Sequence, residues 1–147
     1  MSYLVKRYMS RKVPTIEEHA SVTEAAKVMT KSGKGYIIVL REGKPSGIVT
    51  EHDFVAKVVA GGKDPANVSV VEIMSSPLIT IDPDEDLLKA SALMRKHKIR
   101  RLPVMKGGVI YGVITARDIA QRCGEYVDRA TRDLVRWTPF FSGIRDS

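Results

Sequence analysis

The residues best suited to chemistry in this sequence are a threonine and an aspartate three positions apart, and this pair occurs twice. Thr50 and Asp53 end the segment GIVTEHD, and Thr115 and Asp118 end the segment GVITARD. Each pair follows an apolar run, which predicts a corner where a buried strand leads into a helix. A helix N-terminus attracts phosphate, and an aspartate can accept hydrogen bonds from both hydroxyls of a ribose. The same spacing also fits a loose capping box, so the structural and ligand-binding interpretations both stay open.

Basic residues accompany the second pair but not the first. Arg100 and Arg101 precede the strand segment LPV, and Arg117 lies inside the second Thr-x-x-Asp segment. Guanidinium groups bind phosphate with paired hydrogen bonds, although a solvated basic patch is the alternative. The matching positions of the first copy are Gly35, Tyr36 and His52, with Lys34 as a partial substitute. The second copy is therefore predicted to be the stronger anion site.

The two segments belong to a longer internal duplication. Shifting the sequence by 65 residues aligns residues 9–57 with residues 74–122 without a gap, and 12 of the 49 aligned pairs are identical. Composition alone would give roughly 3. Among the identical pairs are Met9 with Met74, Ser10 with Ser75, and Gly47 with Gly112. The two glycines leave space for another backbone to approach closely. Two copies of this length predict a pseudo-symmetric pair rather than a solenoid.

Each copy is predicted to run strand, helix, strand, strand, helix. The first strands are expected at residues 13–16 and 78–81, and apolar residues at helical spacing follow at 22–29 and 87–94. Gly33 is placed to end the first helix, and Asp82 with Pro83 to begin the equivalent helix of the second copy. The later strand pairs are expected at 36–40 with 47–50 and at 102–105 with 109–115. Their turns are Glu42-Gly43 and Gly107-Gly108.

The predicted architecture is α+β, with repeat 1 at residues 1–62, a linker at 63–70 and repeat 2 at 71–123. One repeat alone makes a marginal core, so the two are expected to pack through their small sheets about a pseudo-twofold axis, with a cleft where the corners meet. A helical tail is expected at 124–147. Its apolar face would hold Tyr126, Ala130, Leu134 and Trp137, and its basic face Arg129, Arg132 and Arg136.

Composition excludes several classes of protein. The lone Cys123 cannot form an intrachain disulfide, the three histidines are scattered, and no nucleophile–base motif or phosphate-binding glycine loop is present. The acidic run at 82–86 lacks the glycine and glutamate of a calcium loop. We therefore expect no catalysis and no metal. No apolar run approaches a membrane span, so the expected location is cytoplasmic. The net charge of +7 suits nucleic acid, which we expect as a partner but favour less than a small anionic ligand.

Taken together, these motifs resemble a pair of CBS (cystathionine β-synthase) domains, also called a Bateman module. The resemblance rests on the two G-h-h-T-x-x-D segments, where h is an apolar residue, on the M-S-x-x-x-x-T-I start of each copy, and on RRLPV before a glycine turn; it covers about residues 5–123. It implies a regulatory module that needs no cofactor and binds AMP, ADP, ATP, S-adenosylmethionine or a related adenosine compound between the repeats. It also implies a homodimer.

The resemblance also implies roles for individual residues. Asp53 and Asp118 would hold ribose, Thr50 and Thr115 ribose or phosphate, and Arg100 or Arg101 phosphate. The adenine would lie among apolar residues, namely Val13, Pro14, Ile37, Leu78 and Ile79. Because the first copy lacks the arginines, its site is expected to be empty or to take an uncharged nucleoside. The module would act through an unidentified protein target or its own assembly. The alternatives are nucleic-acid binding and a protein adaptor acting through residues 126–141, although tail docking on its own core or on a dimer mate is favoured over an adaptor role.

Overall fold

The computed structural model describes residues 3–122 together with Arg132 and Leu134. These residues form two compact units. The first-repeat unit comprises residues 13–78, and the second-repeat unit joins residues 3–12 to residues 79–122 and the two described tail residues. Each unit has its own small sheet and its own hydrophobic core, which confirms the predicted α+β class.

The first-repeat unit is built on a three-stranded sheet in the order β1-β2-β3. Its elements are β1 (Thr15–Glu17), α1 (Val22–Ser32), β2 (Tyr36–Arg41), β3 (Lys44–Thr50) and α2 (Glu51–Asp53), which continues as a π-helix over Phe54–Val59. Strand β1 is parallel to β2, and β2 is antiparallel to β3. Helix α1 begins at a capping box between Ser21 and Glu24 and ends at Gly33, whose φ of 74° is the left-handed conformation predicted for a helix stop.

The second-repeat unit has a two-stranded sheet because the strand expected at 78–81 is reduced to one bridge. Its elements are α3 (Leu87–His97), β4 (Arg101–Lys106), β5 (Val109–Thr115) and α4 (Ala116–Arg122). Ile81 pairs with Val104 through two backbone hydrogen bonds, but the ladder does not extend. In the first copy, the ladder between β1 and β2 extends on both sides through hydrogen bonds that the N–H groups of Ile38 and Glu18 donate. The equivalent residues are Pro103 and Pro83, which have no N–H to donate.

Each unit is completed by a methionine–serine segment that packs against a glycine in its sheet. In the second-repeat unit Ser10 exchanges two backbone hydrogen bonds with Val113, at 2.9 and 3.0 Å, beside Gly112. In the first-repeat unit Ser75 does the same with Ile48, beside Gly47. A Cβ on Gly112 would lie 2.6 Å from the Ser10 carbonyl oxygen. The close approach predicted for these glycines is therefore made by the chain itself.

The helix start predicted at Asp82 and Pro83 is wrong by one turn. Asp82 closes a short turn by accepting the Asp84 N–H at 2.8 Å, and Asp86 is the residue that caps α3, accepting the Leu88 N–H at 2.7 Å. The predicted hairpin turns are confirmed. Glu42 and Gly43 have φ of 51° and 79°, and Gly107 and Gly108 have φ of 59° and 78°, as a two-residue turn of this type requires.

The C-terminal tail is described at two positions. Leu134 is helical and fully buried in the core of the second-repeat unit, and Arg132 is helical and exposed, which matches the predicted apolar and basic faces at these two residues. Cys123, the other predicted face residues and the segment 126–141 as a whole lie outside the described residues. Across the part of the chain that is described, no helix is long and apolar enough to cross a membrane.

Candidate functional site

The second-copy corner, formed by the end of β5 and the start of α4, holds a complete capping box. The Thr115 N–H donates to Asp118 Oδ2 at 3.0 Å, and the Asp118 N–H donates back to Thr115 Oγ1 at 3.0 Å. Both residues are half-buried. The capping interpretation of this spacing is therefore confirmed, and the corner also keeps the aspartate within reach of solvent.

The first-copy corner engages both carboxylate oxygens of its aspartate. Asp53 Oδ2 accepts the Thr50 N–H at 2.8 Å and the Thr50 hydroxyl at 3.3 Å. Asp53 Oδ1 forms an ion pair with Lys57 Nζ at 3.1 Å, and that ammonium also donates to the Ile73 carbonyl at 2.9 Å. Asp53 is only 7% exposed. Both carboxylate oxygens are therefore engaged by the protein itself.

Lys57 is a site residue that the sequence reasoning missed. It lies one helical turn beyond Asp53, within the π-helix, and this spacing was a readable signal because residues four apart on a helix can form an ion pair. The equivalent position of the second copy is Arg122, whose side chain lies outside the described residues. The two aspartates are therefore compared by their exposure rather than by this ion pair.

The structure brings Arg100, which precedes β4, and Arg101, the first residue of β4, to the second-copy corner. The Arg100 carbonyl accepts the N–H of Ala116, the first residue of α4, at 2.9 Å, and Arg101 pairs with Thr115 across the sheet. Arg100 and Arg101 are half-buried, and Arg117 is exposed on the first turn of α4. Thr115 therefore pairs with Arg101 across the sheet, and Arg100, Arg117 and Asp118 belong to the same corner.

The first-copy corner has the same backbone with different side chains. The Gly35 carbonyl accepts the Glu51 N–H at 3.2 Å, and Tyr36 pairs with Thr50 across the sheet. Tyr36 is buried, Lys34 is half-buried and His52 is exposed. The duplication therefore reproduced the corner, but only the second copy has arginines at the start of the strand.

The residues expected to contact adenine differ in how deeply they are buried and in the unit to which they belong. Ile37 is fully buried in the hydrophobic core of the first-repeat unit, so its contact with adenine stays a prediction that would require its side chain to become accessible. Pro14 is buried, with its carbonyl accepting the Ile38 N–H at 2.9 Å, and Val13 is half-buried. Leu78 and Ile79 are half-buried and fall in different units, with Ile79 packed on the second-repeat core.

No grouping of three or more His, Cys, Asp and Glu side chains suited to a metal ion occurs within residues 3–122 or at the two described tail positions.

Comparison with known proteins identifies the family. The model of the CBS domain matches this sequence twice, at residues 5–60 and 70–125. The chain belongs to the CBS domain family. It is a tandem CBS pair, and the two matches each contain one Thr-x-x-Asp corner.

Relatives of this CBS pair occur in bacteria and archaea. An uncharacterized protein of Methanopyrus kandleri is 39% identical over 76% of the chain, which spans 58% of that relative's length. The CBS domain-containing protein YhcV of Bacillus subtilis is 34% identical over 79% of the chain and 82% of its own. Among solved structures, the CBS domain pair of protein MJ0100 is 30% identical with a TM-score of 0.76, covering 86% of this chain and 99% of that one. That pair was crystallised with 5′-methylthioadenosine and S-adenosyl-L-methionine.

Proposed function

We propose that this CBS pair is a regulatory module without catalytic activity that binds an adenosine-derived ligand at the second-copy corner. The observation that carries the proposal is the placement of Arg100 and Arg101 at the same corner as Thr115 and the half-buried Asp118. The complex of the MJ0100 pair with two adenosine compounds supports this class of ligand.

Each residue of the corner has a chemical role in this proposal. The carboxylate of Asp118 accepts hydrogen bonds from the ribose hydroxyls, and the Thr115 hydroxyl donates to ribose or phosphate. Arg100, Arg101 and Arg117 bind phosphate oxygens, because guanidinium groups present paired N–H donors. The half-buried Ile79 is the apolar residue of this unit that would contact the adenine.

The first-copy corner is proposed to be the weaker site. The burial of Asp53 competes with a ribose, and no arginine occupies the start of β2 to bind phosphate. We therefore expect it to be empty or to take an uncharged ligand such as a nucleoside. The predicted contacts at this lower-affinity site stay predictions, and they involve Asp53, Thr50, His52, Val13, Pro14 and Leu78.

A thermal-shift panel tests the ligand class. AMP, ADP, ATP, S-adenosylmethionine and methylthioadenosine are each added to protein freed of ligand by refolding from urea. A compound at about 100 times its dissociation constant should stabilise the fold by roughly 2.7 kcal/mol, which raises the melting temperature by several degrees. If none of the five compounds changes the melting temperature, the proposal is wrong.

Matched variants locate the site. Asp118→Asn keeps an oxygen that can accept the Thr115 N–H but removes the charge and the second acceptor, so ligand affinity should fall about tenfold or more while stability changes little. Asp53→Asn is its twin in the other copy and should leave the affinity within about twofold, because the tight site lies elsewhere. Equal losses in the two variants would contradict the assignment to the second copy.

The arginines separate phosphate-bearing ligands from uncharged ones. Arg100→Gln and Arg101→Gln should weaken ADP or ATP about tenfold and leave methylthioadenosine unchanged, since each removes a charge-assisted hydrogen bond to phosphate. A loss for methylthioadenosine equal to that for ADP would show that these arginines support the fold of the corner rather than bind phosphate.

The output of the module is proposed to pass through a homodimer or an unidentified protein target in the cytoplasm. Val55 and Val59, at 60% and 74% exposure on the π-helix, form an apolar face suited to a second copy. Light scattering should report a dimer for the wild type and a monomer for Val59→Glu. The control is Val109→Glu, at an exposed valine of β5, which should stay dimeric. A wild-type monomer would leave the protein target as the route of output.

A further inference from the structure

The N-terminal segment of the second-repeat unit carries a second group of cations, on residues other than those of the strand–helix corner. Residues 3–12, YLVKRYMSRK, contain four basic side chains and no acidic one. A hollow of about 810 Å³ is lined by Lys6, Arg7, Met9, Ser10, Arg11 and Lys12. Arg7, Arg11 and Lys12 are exposed at this hollow.

The backbone that presents these cations is fixed to the unit. The N–H groups of Val5 and Lys6 donate to the carbonyls of Glu85 and Pro83 at 2.8 and 3.0 Å, and Ser10 is bonded in both directions to Val113. Val5 and Met9 are buried in the core. An anion would therefore meet side chains on a fixed main chain, which lowers the entropy lost on binding.

The acidic residues near this segment are engaged with other groups. Asp84 is shared between Lys6 at 2.8 Å and Lys106 at 3.2 Å, Glu85 pairs with Lys89 at 3.3 Å, and Asp86 caps α3. Within residues 3–122, no carboxylate lies within 4.0 Å of a side-chain nitrogen of Arg7, Arg11 or Lys12. Three exposed cations thus face the hollow without a counter-ion from the described residues.

The duplication supplies an internal comparison that separates fold from charge. Val5–Arg7 form a 3₁₀ turn, and the equivalent segment of the first-repeat unit has the same turn, at Val70–Glu72, and the same bonded serine, Ser75. The positions equivalent to the four cations hold Val71, Glu72, Ser76 and Pro77. The local fold therefore forms without any of these cations, and their presence in one copy calls for another explanation.

We propose that this segment is a second anion site, which binds an oligophosphate group through Arg7, Arg11 and Lys12. Its ligand chemistry is that of several adjacent phosphates, supplied by free triphosphate or by the phosphate chain of a nucleotide. The site is distinct from the corner of Thr115 and Asp118 in the residues that form it, and it does not depend on the function proposed for that corner.

The test is calorimetric titration of the full chain with inorganic triphosphate, in buffer with a chelator to exclude metal ions. The wild type should bind, and raising NaCl from roughly 50 to 200 mM should weaken binding several-fold because the contacts are ionic. The variant Arg7→Gln/Arg11→Gln/Lys12→Gln should lose about tenfold or more in affinity. ATP should bind Asp118→Asn with a residual affinity close to that of triphosphate.

A control of equal charge makes the result specific. Lys31→Gln/Lys44→Gln/Lys63→Gln removes three exposed cations from the first-repeat unit and should leave triphosphate affinity within about twofold. Both triple variants should melt within a few degrees of the wild type. Equal losses in the two variants, no binding by the wild type, or loss of triphosphate binding in Asp118→Asn would each overturn the proposal. Salt-dependent binding of a single-stranded oligonucleotide without any binding of triphosphate would also overturn it, in favour of a nucleic-acid surface.

Discussion

At the residue scale, each Thr-x-x-Asp corner combines a structural role with a possible recognition role. The carboxylate oxygen Oδ2 accepts the threonine N–H in both copies, so the aspartate caps its helix whether or not a ligand binds. A carboxylate has about four acceptor positions, so capping does not exhaust it. The copies differ in the exposure of the aspartate and in the arginines: Asp53 is nearly fully buried, whereas Asp118 is half-buried and has arginines at the same corner.

Replacing Lys57 by methionine should destabilise the protein. The change removes the ion pair to a buried carboxylate and the hydrogen bond to the Ile73 carbonyl, while methionine keeps most of the side-chain volume. Because Lys57 itself is about half exposed, we expect a loss of roughly 1–2 kcal/mol rather than the larger cost of a fully buried pair. Urea denaturation measures the free energy of unfolding.

Lys31→Met is the matched control for this prediction, because Lys31 is an exposed helical lysine at the end of α1. It should change the free energy of unfolding by less than about 0.5 kcal/mol. An equal effect of the two substitutions would mean that the ion pair with Asp53 contributes nothing to stability.

The sequence could predict the residue types of the corner but not their competition for partners. The repeat located Thr50, Asp53, Thr115 and Asp118, whereas the pairing of Arg101 with Thr115 depends on a bulge in the sheet that the sequence did not reveal. The burial of Ile37 could not be separated from a ligand-facing position, because neighbouring residues of a central strand can be apolar for either reason. The spacing of Asp53 and Lys57 is a local signal, but the hydrogen bond from Lys57 to the Ile73 carbonyl joins residues 16 positions apart and follows from no local pattern.

At the element scale, the start of α3 gives a direct test of the corrected helix boundary. Asp86→Ala removes the acceptor of the Leu88 N–H and should cost about 1 kcal/mol of stability, a typical value for a lost N-cap. Asp82→Ala should cost less, because Asp82 closes only an exposed turn. Urea denaturation of both variants measures the difference, and the opposite order would restore Asp82 as the cap.

The packing of the methionine–serine segment should make Gly112 intolerant of a side chain. The new Cβ of Gly112→Ala would lie 2.6 Å from the Ser10 carbonyl oxygen and 2.8 Å from Met9 Sδ. Met9 can move, but the Ser10 backbone is bonded to Val113, so we expect a loss of about 1–3 kcal/mol. Thermal melting measures it, with the exposed Gln121→Ala as the control that should melt like the wild type.

These elements show which parts of the fold a local sequence pattern can predict and which parts it cannot. Helix α1 and both hairpins follow from periodicity and turn residues, because their stabilising contacts are local. The strand at 78–81 is missing because two prolines stand where the first copy has N–H donors in its ladder, and the packing of residues 3–12 on β5 is a long-range contact. Repeat boundaries drawn from the duplication therefore differ from the compact units.

At the scale of the whole molecule, acid should weaken the attachment of the N-terminal segment. The hydrogen bond from Lys6, with a second from Lys106, holds the pKa of Asp84 below its ordinary value of 3.8. A lowered pKa means that the contribution to stability is complete above pH 3.8 and is lost as the pH falls through the lower value of the folded state.

Asp84→Asn isolates this contribution. The variant should melt below the wild type at neutral pH, and the difference should shrink as the pH is lowered beneath 3.8. Melting curves by circular dichroism across this range measure it. A difference that is constant with pH would show that the substitution acts through packing rather than through the carboxylate charge.

The two copies should respond differently to a ligand, although their corners share one backbone design. If Arg100 and Arg101 decide where an adenosine nucleotide binds, amide hydrogen exchange should slow in residues 115–121 and stay unchanged in residues 50–58. Hydrogen-exchange mass spectrometry with and without ADP compares the two segments in one molecule, and Asp118→Asn should abolish the protection. Equal protection at both corners would mean that the threonine and aspartate, present in both copies, decide binding, and that the arginines of one copy do not.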